Sequence, residues 1–215
     1  MSITTQPSGS AEVAVPFDRQ PVMQLLDLGG NNVNQAGVAV TASIETGGGT
    51  LAGTVTVATD ANGVATFTDL ALIGLTGDRT LRFAAGLASV ISSKIDLKVG
   101  VATQLSLTTQ PSAVVQSGVK FTVQPVVQVL DAGGNKVKLD KVPVIVSIAT
   151  GAGILGGPLT KNTDRNGAAK FKDLVITGVA GDRTLRFTAA GLTAVTSMTV
   201  AVTAEPGAAP EIPSQ

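Results

Sequence analysis

The stretch TDANGVATFTDL, from Thr59 to Leu70, returns as TDRNGAAKFKDL from Thr163 to Leu174, and this repetition limits the fold more than any other feature of the chain. Each copy carries Asn-Gly (Asn62-Gly63, Asn166-Gly167), a pair that relieves the left-handed backbone penalty of a tight β-turn. An alternation follows in which Ala65 and Phe67, or Ala169 and Phe171, point one way and their neighbours the other. Thr66 and Thr68 of the first copy become Lys170 and Lys172 in the second. Such a swap is tolerated on a solvent face, which puts Phe67 and Phe171 toward a core.

The repetition is far longer than this stretch. Ser2 laid on Ser106 aligns without a gap through Phe83 on Phe187, after which the second copy carries one extra residue. A period of this length is a whole domain, and the 215 residues fit two. The expected division is a first domain at 1–99, a short connection at 100–104, a second domain at 105–203 and a Pro-rich tail or linker at 204–215. SITTQPS matches SLTTQPS, with Met1 where Leu105 stands, so the chain reads as a piece of a longer repeat protein cut at a repeat boundary.

Both copies open with a short strand closed by Gln6-Pro7 or Gln110-Pro111. A strand through PVMQLLD or PVVQVLD then stops at an Asp-x-Gly-Gly-Asn turn, Asp27 to Asn31 or Asp131 to Asn135. Val40, Ala42 and Ile44 alternate as a half-buried strand, matched by Val144, Val146 and Ile148. A glycine-rich bend leads to an expected Asn-Gly hairpin, Gly77-Asp78 (Gly181-Asp182) turns into a strand holding Leu81 and Phe83, and one last strand, around Val90 to Val99 or Val195 to Val202, closes each copy. The six Phe fall into equivalent pairs: Phe17 with Phe121, Phe67 with Phe171, Phe83 with Phe187. These short strands and regular turns predict an all-β fold of two tandem immunoglobulin-like β-sandwich domains.

The TTQPS opening, the Asp-x-Gly-Gly-Asn turn and Thr-Asp-x-Asn-Gly-x-Ala-x-Phe together resemble bacterial Ig-like domains of the invasin and intimin kind, tandem modules of surface or secreted proteins. The resemblance covers both copies almost end to end. It implies a cell-surface or extracellular setting, neighbouring Ig-like repeats as partners, and a role as spacer or stalk. An adhesive or ligand-binding module, or a filament subunit joined by strand addition at edges such as Ser2 to Thr5, are the alternatives.

Composition narrows the chemistry. Fifteen basic residues balance fifteen acidic ones and look dispersed along the chain, giving no field for nucleic acid. Apolar runs such as Leu70 to Leu75 are too short for membrane insertion, and the N-terminus has no signal-peptide pattern. With no Cys and no His, thiolate sites, disulfides and the commonest general base are excluded, and no Ser-Lys or carboxylate pair recurs in both copies. The expectation is therefore no enzyme, no catalytic residue and no cofactor.

Four motifs nonetheless invite a functional reading. The run from Gly151 to Gly156 spells G-x-G-x-x-G but opens no helix, so it reads as a bend. Asp27, Asn31, Asp60 and Asn62, with Asp131, Asn135, Asp164 and Asn166, offer oxygens on turns. Calcium takes about six to eight oxygens, and each turn supplies one carboxylate, so no metal site is expected. Asp78, Arg79 and Arg82, repeated as Asp182, Arg183 and Arg186, read as solvated pairs at a turn. An isopeptide bond needs a buried lysine, yet Lys120 aligns with Pro16 and Lys161 with Val57.

Overall fold

The computed structural model describes residues 1–204; the expected tail lies, from residue 205 on, outside them. The described residues are strands and turns without a helix, and they form two compact units. One holds Met1–Val101 with Asp131–Asn135, the other Ala102–Leu130 with the residues from Lys136 on.

The first unit contains β1 (Ser2–Thr5), β2 (Ser10–Glu12), β3 (Val22–Gln24), β4 (Ala39–Thr46), β5 (Thr50–Ala52), β6 (Thr56–Ala58), β7 (Val64–Thr66), β8 (Ala71–Ile73), β9 (Gly77–Ala85), β10 (Ala88–Ile91) and β11 (Ile95–Lys98). One sheet has the order β1-β3-β7, the other β2-β11-β9-β4-β6 with β10 also on β9, while β5 and β8 make a separate ribbon. Alternation explains the layering: in β4 Val40 and Ala42 are buried between exposed Ala39, Thr41 and Ser43. Met23 and Ala65 from one sheet meet Val40, Leu81, Phe83 and Leu97 from the other in a single core, where the rings of Phe67 and Phe83 lie 5.4 Å apart.

The second unit repeats this plan with β12 (Ala102–Thr109), β13 (Val114–Gln116), β14 (Val126–Asp131), β15 (Pro143–Thr150), β16 (Ile154–Gly156), β17 (Thr160–Asn162), β18 (Ala168–Lys170), β19 (Val175–Thr177), β20 (Gly181–Ala189), β21 (Leu192–Thr196) and β22 (Val200–Thr203). Strands β12-β14-β18 make one layer, and β13-β22-β20 continue the other through β15 to β17. A parallel bridge from Gln104 to Thr193 links β12 to β21. Phe171 and Phe187 sit 5.3 Å apart in its core.

The unit core holds the expected residues: Phe17, Phe67 and Phe83, with Phe121, Phe171 and Phe187, are all buried. Two expectations change. The Asn-Gly segment is a tight turn, with Gly63 N donating to Asp60 O at 3.0 Å, but it is no hairpin. β6 pairs with β4 and β7 with β3, so the turn carries the chain from one layer to the other. The single last strand is in fact two, β10 and β11, and likewise β21 and β22. The break falls at Ser92 and Ser197, whose buried hydroxyls accept the N–H of Leu81 and Leu185 at 2.9 Å in each unit and so interrupt the ladder.

In both units the strand near the start runs parallel to the last one, β2 beside β11 and β13 beside β22.

Candidate functional site

The polar residues singled out by the repeat fall mainly into turns that satisfy themselves. Asp60 Oδ1 accepts the N–H groups of Asn62 and Val64 at 2.8 and 2.9 Å, and Asp164 Oδ1 accepts those of Asn166 and Ala168 at 2.9 and 3.1 Å. The Val64 N–H leads in holding the Asp60 carboxyl below its ordinary value, and the Ala168 N–H does the same for Asp164. Asp27 Oδ1 accepts Asn31 N at 2.8 Å, and the Asn31 side chain is the main cause of its lowered pKa. Carboxylate oxygens committed to backbone donors hold turns; they do not converge on a common point.

Asp131 and Asn135 depart from this pattern. Asp27 and Asn31 are exposed, whereas Asp131 and Asn135 are buried within the first unit. Burial there works against the Asp131 charge. Hydrogen bonds, with Gly100 N at 3.0 Å the foremost, outweigh it and leave the pKa lowered.

The Asp-Arg pairs are also not what the sequence suggests. Arg79 and Arg183 are buried, and their guanidinium groups donate to carbonyl oxygens: Arg79 to Asp78 O and Leu75 O, Arg183 to Asp182 O at 2.8 Å and Val179 O at 2.9 Å. The Asp78 carboxylate pairs instead with Lys94 at 3.1 Å, and both groups are exposed. Arg82 does form a fork with Glu45, at 2.6 and 2.9 Å, which lowers the Glu45 pKa. Ala149 stands at the Glu45 position in the second copy, so the fork is not part of the repeated plan.

The buried arginines explain the glycine-rich bends. A Cβ on Gly47 would lie 2.5 Å from Arg79 Cδ, and one on Gly151 would lie 2.4 Å from Arg183 Cδ. Gly151 thus leaves room for the Arg183 side chain; the start of the G-x-G-x-x-G run is a bend, as expected, whereas Ile154–Gly156 is strand β16.

Sequence reasoning did not foresee the burial of four polar positions in both units: Gln24 with Gln128, Thr59 with Thr163, Arg79 with Arg183, Ser92 with Ser197. Gln24 Nε2 donates to Asn62 O at 3.0 Å and Gln128 Nε2 to Asn166 O at 2.8 Å, fastening the Asn-Gly turn to the strand beside it. The available signal was recurrence of the same polar residue in both copies within apolar surroundings. Lys120, for its part, is exposed and paired with Asp173 at 2.7 Å, while exposed Lys161 lines a concavity of about 300 Å³ with Lys170 and Lys172.

Among the described residues no group of three or more acidic side chains could hold a metal ion, and no helix is long and apolar enough to cross a membrane.

No curated protein matches the sequence. Among solved structures, the D0-D1 domain of intimin is 18% identical and aligns over 94% of this chain and 98% of its own, with a TM-score of 0.36. The adhesin InvE of Yersinia pseudotuberculosis is 19% identical over 94% of this chain and 58% of its own, at a TM-score of 0.36. A β-glycosidase from Bacteroides vulgatus is 13% identical over 84% of this chain and 24% of its own, at 0.41. The family model described as SMCHD1 Ig-like domain 6 matches residues 100–207, half of the 215 residues. With its two-layered β-architecture, the chain belongs to this family of immunoglobulin-like domains.

Proposed function

We propose that the chain is a non-catalytic pair of Ig-like repeats serving as a structural spacer in a bacterial surface or secreted protein. One observation carries this reading: in each unit the first strand of the larger sheet lies parallel to the last strand of the unit, Ser10↔Asp96 in one and Val114↔Ala201 in the other. Parallel neighbours start at the same end, so the chain enters a unit at one end and leaves it at the opposite end. A unit so threaded adds its full length to the protein. The polar groups of the repeated turns support the same reading, because they are occupied with their own backbone rather than presented for chemistry.

The chain's partners, on this proposal, are neighbouring repeats of the same kind. A second reading, strand addition between copies, is favoured by β1, which lies at the edge of its three-stranded sheet. Small-angle scattering on the full chain separates the two. A spacer gives a constant mass and a longest dimension near twice the roughly 35 to 40 Å expected from strands of about ten residues. A compact particle contradicts the spacer, and mass that grows with concentration, and is abolished by deleting Ser2–Thr5, replaces it with self-assembly.

A further inference from the structure

The neutral total charge hides an uneven division. Residues 1–104 hold five basic and eight acidic side chains, whereas residues 105–204 hold ten basic and five acidic. The dispersed pattern expected from the sequence is therefore two opposite excesses. Most of the basic excess falls at one edge of the second unit: residues 136–172 contain Lys136, Lys138, Lys141, Lys161, Arg165, Lys170 and Lys172 against Asp140 and Asp164.

The fold brings these segments together. The loop before β15 runs beside the Asn-Gly turn, with Lys141 N donating to Thr163 O at 3.0 Å and Thr163 Oγ1 donating to Leu139 O at 2.6 Å. β17 and β18 flank that turn, and Lys161, Lys170 and Lys172 line the same concavity of about 300 Å³. All seven cations are exposed. Asp164 pairs with one of them, its Oδ2 standing 3.6 Å from Lys170 Nζ, and Asp173 lies beside Lys172, yet seven cations still outnumber the two carboxylates of residues 136–172.

The first unit supplies an internal control. Its residues at the seven equivalent positions are Asn32, Asn34, Gly37, Val57, Ala61, Thr66 and Thr68, all neutral, and it builds the same strands. The fold has no need of the cations. Lys141 even adopts the left-handed φ of 62° at the place where the first unit uses Gly37, φ 77°, a conformation in which a long side chain is strained.

We propose that this lysine edge binds a linear polyanion of the acidic polysaccharide class. Lys161, Lys170 and Lys172 share one concavity, while Lys136, Lys138, Lys141 and Arg165 carry the charge beyond it over a loop and a turn, an extent that suits a polymer and not a single small anion. Lys170 and Lys172 flank the buried Phe171 and so share one face, about 6.6 Å apart along extended chain. That spacing fits a chain with an anionic group on each sugar; it falls far short of the charge every ~1.7 Å that duplex DNA presents. Every Phe is buried and the chain has no Tyr or Trp, so nothing here stacks on a base. Six of the seven cations are lysines, hydrated point charges that read charge rather than the planar forks that read base edges. The inference does not depend on the spacer reading.

The test is binding of the full chain to labelled heparin and to polygalacturonate, with duplex DNA of matched length for comparison, between about 50 and 200 mM salt. Both glycans are expected to bind at low salt and weaken as salt rises. A variant carrying the first unit's residues, Lys161→Val with Lys170→Thr and Lys172→Thr, is expected to bind at least about tenfold more weakly. Lys94→Thr, in the first unit, is expected to leave binding unchanged. A second variant, Lys136→Asn with Lys138→Asn, carries the same expectation should the triple variant fail to fold. The proposal is overturned if both variants bind as tightly as the parent, if neither glycan binds at low salt, or if the DNA binds more tightly than heparin. It is equally overturned if the triple substitution abolishes a low-salt dimer, which would assign the edge to the acidic first unit of a second copy.

Discussion

Arg79 and Arg183 show how a charge can be buried in these units without a carboxylate. Carbonyl oxygens of the preceding turn accept from the guanidinium, and glycine leaves room above it. The carboxylates act differently. Asp27, Glu45, Asp60, Asp164 and Asp173 all have lowered pKa values through hydrogen bonds to Asn31, Arg82, Val64, Ala168 and Lys120 respectively, from ordinary values of 3.8 for Asp and 4.5 for Glu. A depressed carboxylate contributes stability that is present above its unfolded pKa and is lost as pH falls through its folded one. The chain has no His and no Cys, the side chains whose ordinary pKa lies nearest neutrality. The melting temperature is therefore expected to stay flat from about pH 5.5 to 8 and to drop below about pH 4; a marked slope around pH 6 to 7 would contradict this assignment. Because each turn spends its carboxylate on backbone donors, millimolar calcium is expected to leave the melting temperature where EDTA leaves it. A rise specific to calcium over magnesium would reveal a convergence of turns not described above.

Ser92 and Ser197 decide the course of the strands that close each unit. Each hydroxyl accepts from the facing strand and donates onward, to Ser93 O or Met198 O, so Ser→Ala at either position leaves a buried Leu N–H unpaired. We expect Ser92→Ala and Ser197→Ala each to cost about 1 to 3 kcal/mol in chemical denaturation, against a few tenths for exposed Ser43→Ala. These breaks were hidden in the sequence because Ser92, beside Ser93, and Ser197, beside Thr196, read as ordinary polar positions of one unbroken strand. The turns and the buried faces were legible, since Asn62-Gly63, Phe67 and the alternation in β4 act through local geometry. Gln6 belongs with the hidden features: its Oε1 accepts Ser93 N at 2.9 Å from across the unit, a contact that no local pattern encodes. The lysine edge was hidden for another reason. Its residues are spread from Lys136 to Lys172, and only the folding of a loop against a turn collects them.

The described residues have two separate cores, one around Phe67 and Phe83 and the other around Phe171 and Phe187. Phe67→Ala and Phe171→Ala are each expected to cost about 3 to 5 kcal/mol, with effects that add in the double variant, as read by calorimetry and denaturant titration. A loss under about 1 kcal/mol at both would remove these rings from the interior. The parallel pairing of β2 with the last strand, β11, has a mechanical consequence as well. When tension is applied to a unit through its two ends, β2 is drawn toward its own beginning and β11 toward its own end. The two slide past one another lengthwise, and their hydrogen bonds are loaded in shear, all at once. An antiparallel pair pulled from its open end would peel apart one bond at a time. A short ladder, Ser10–Glu12 against Asp96–Lys98, thereby becomes a clasp that resists extension far better than its length alone suggests.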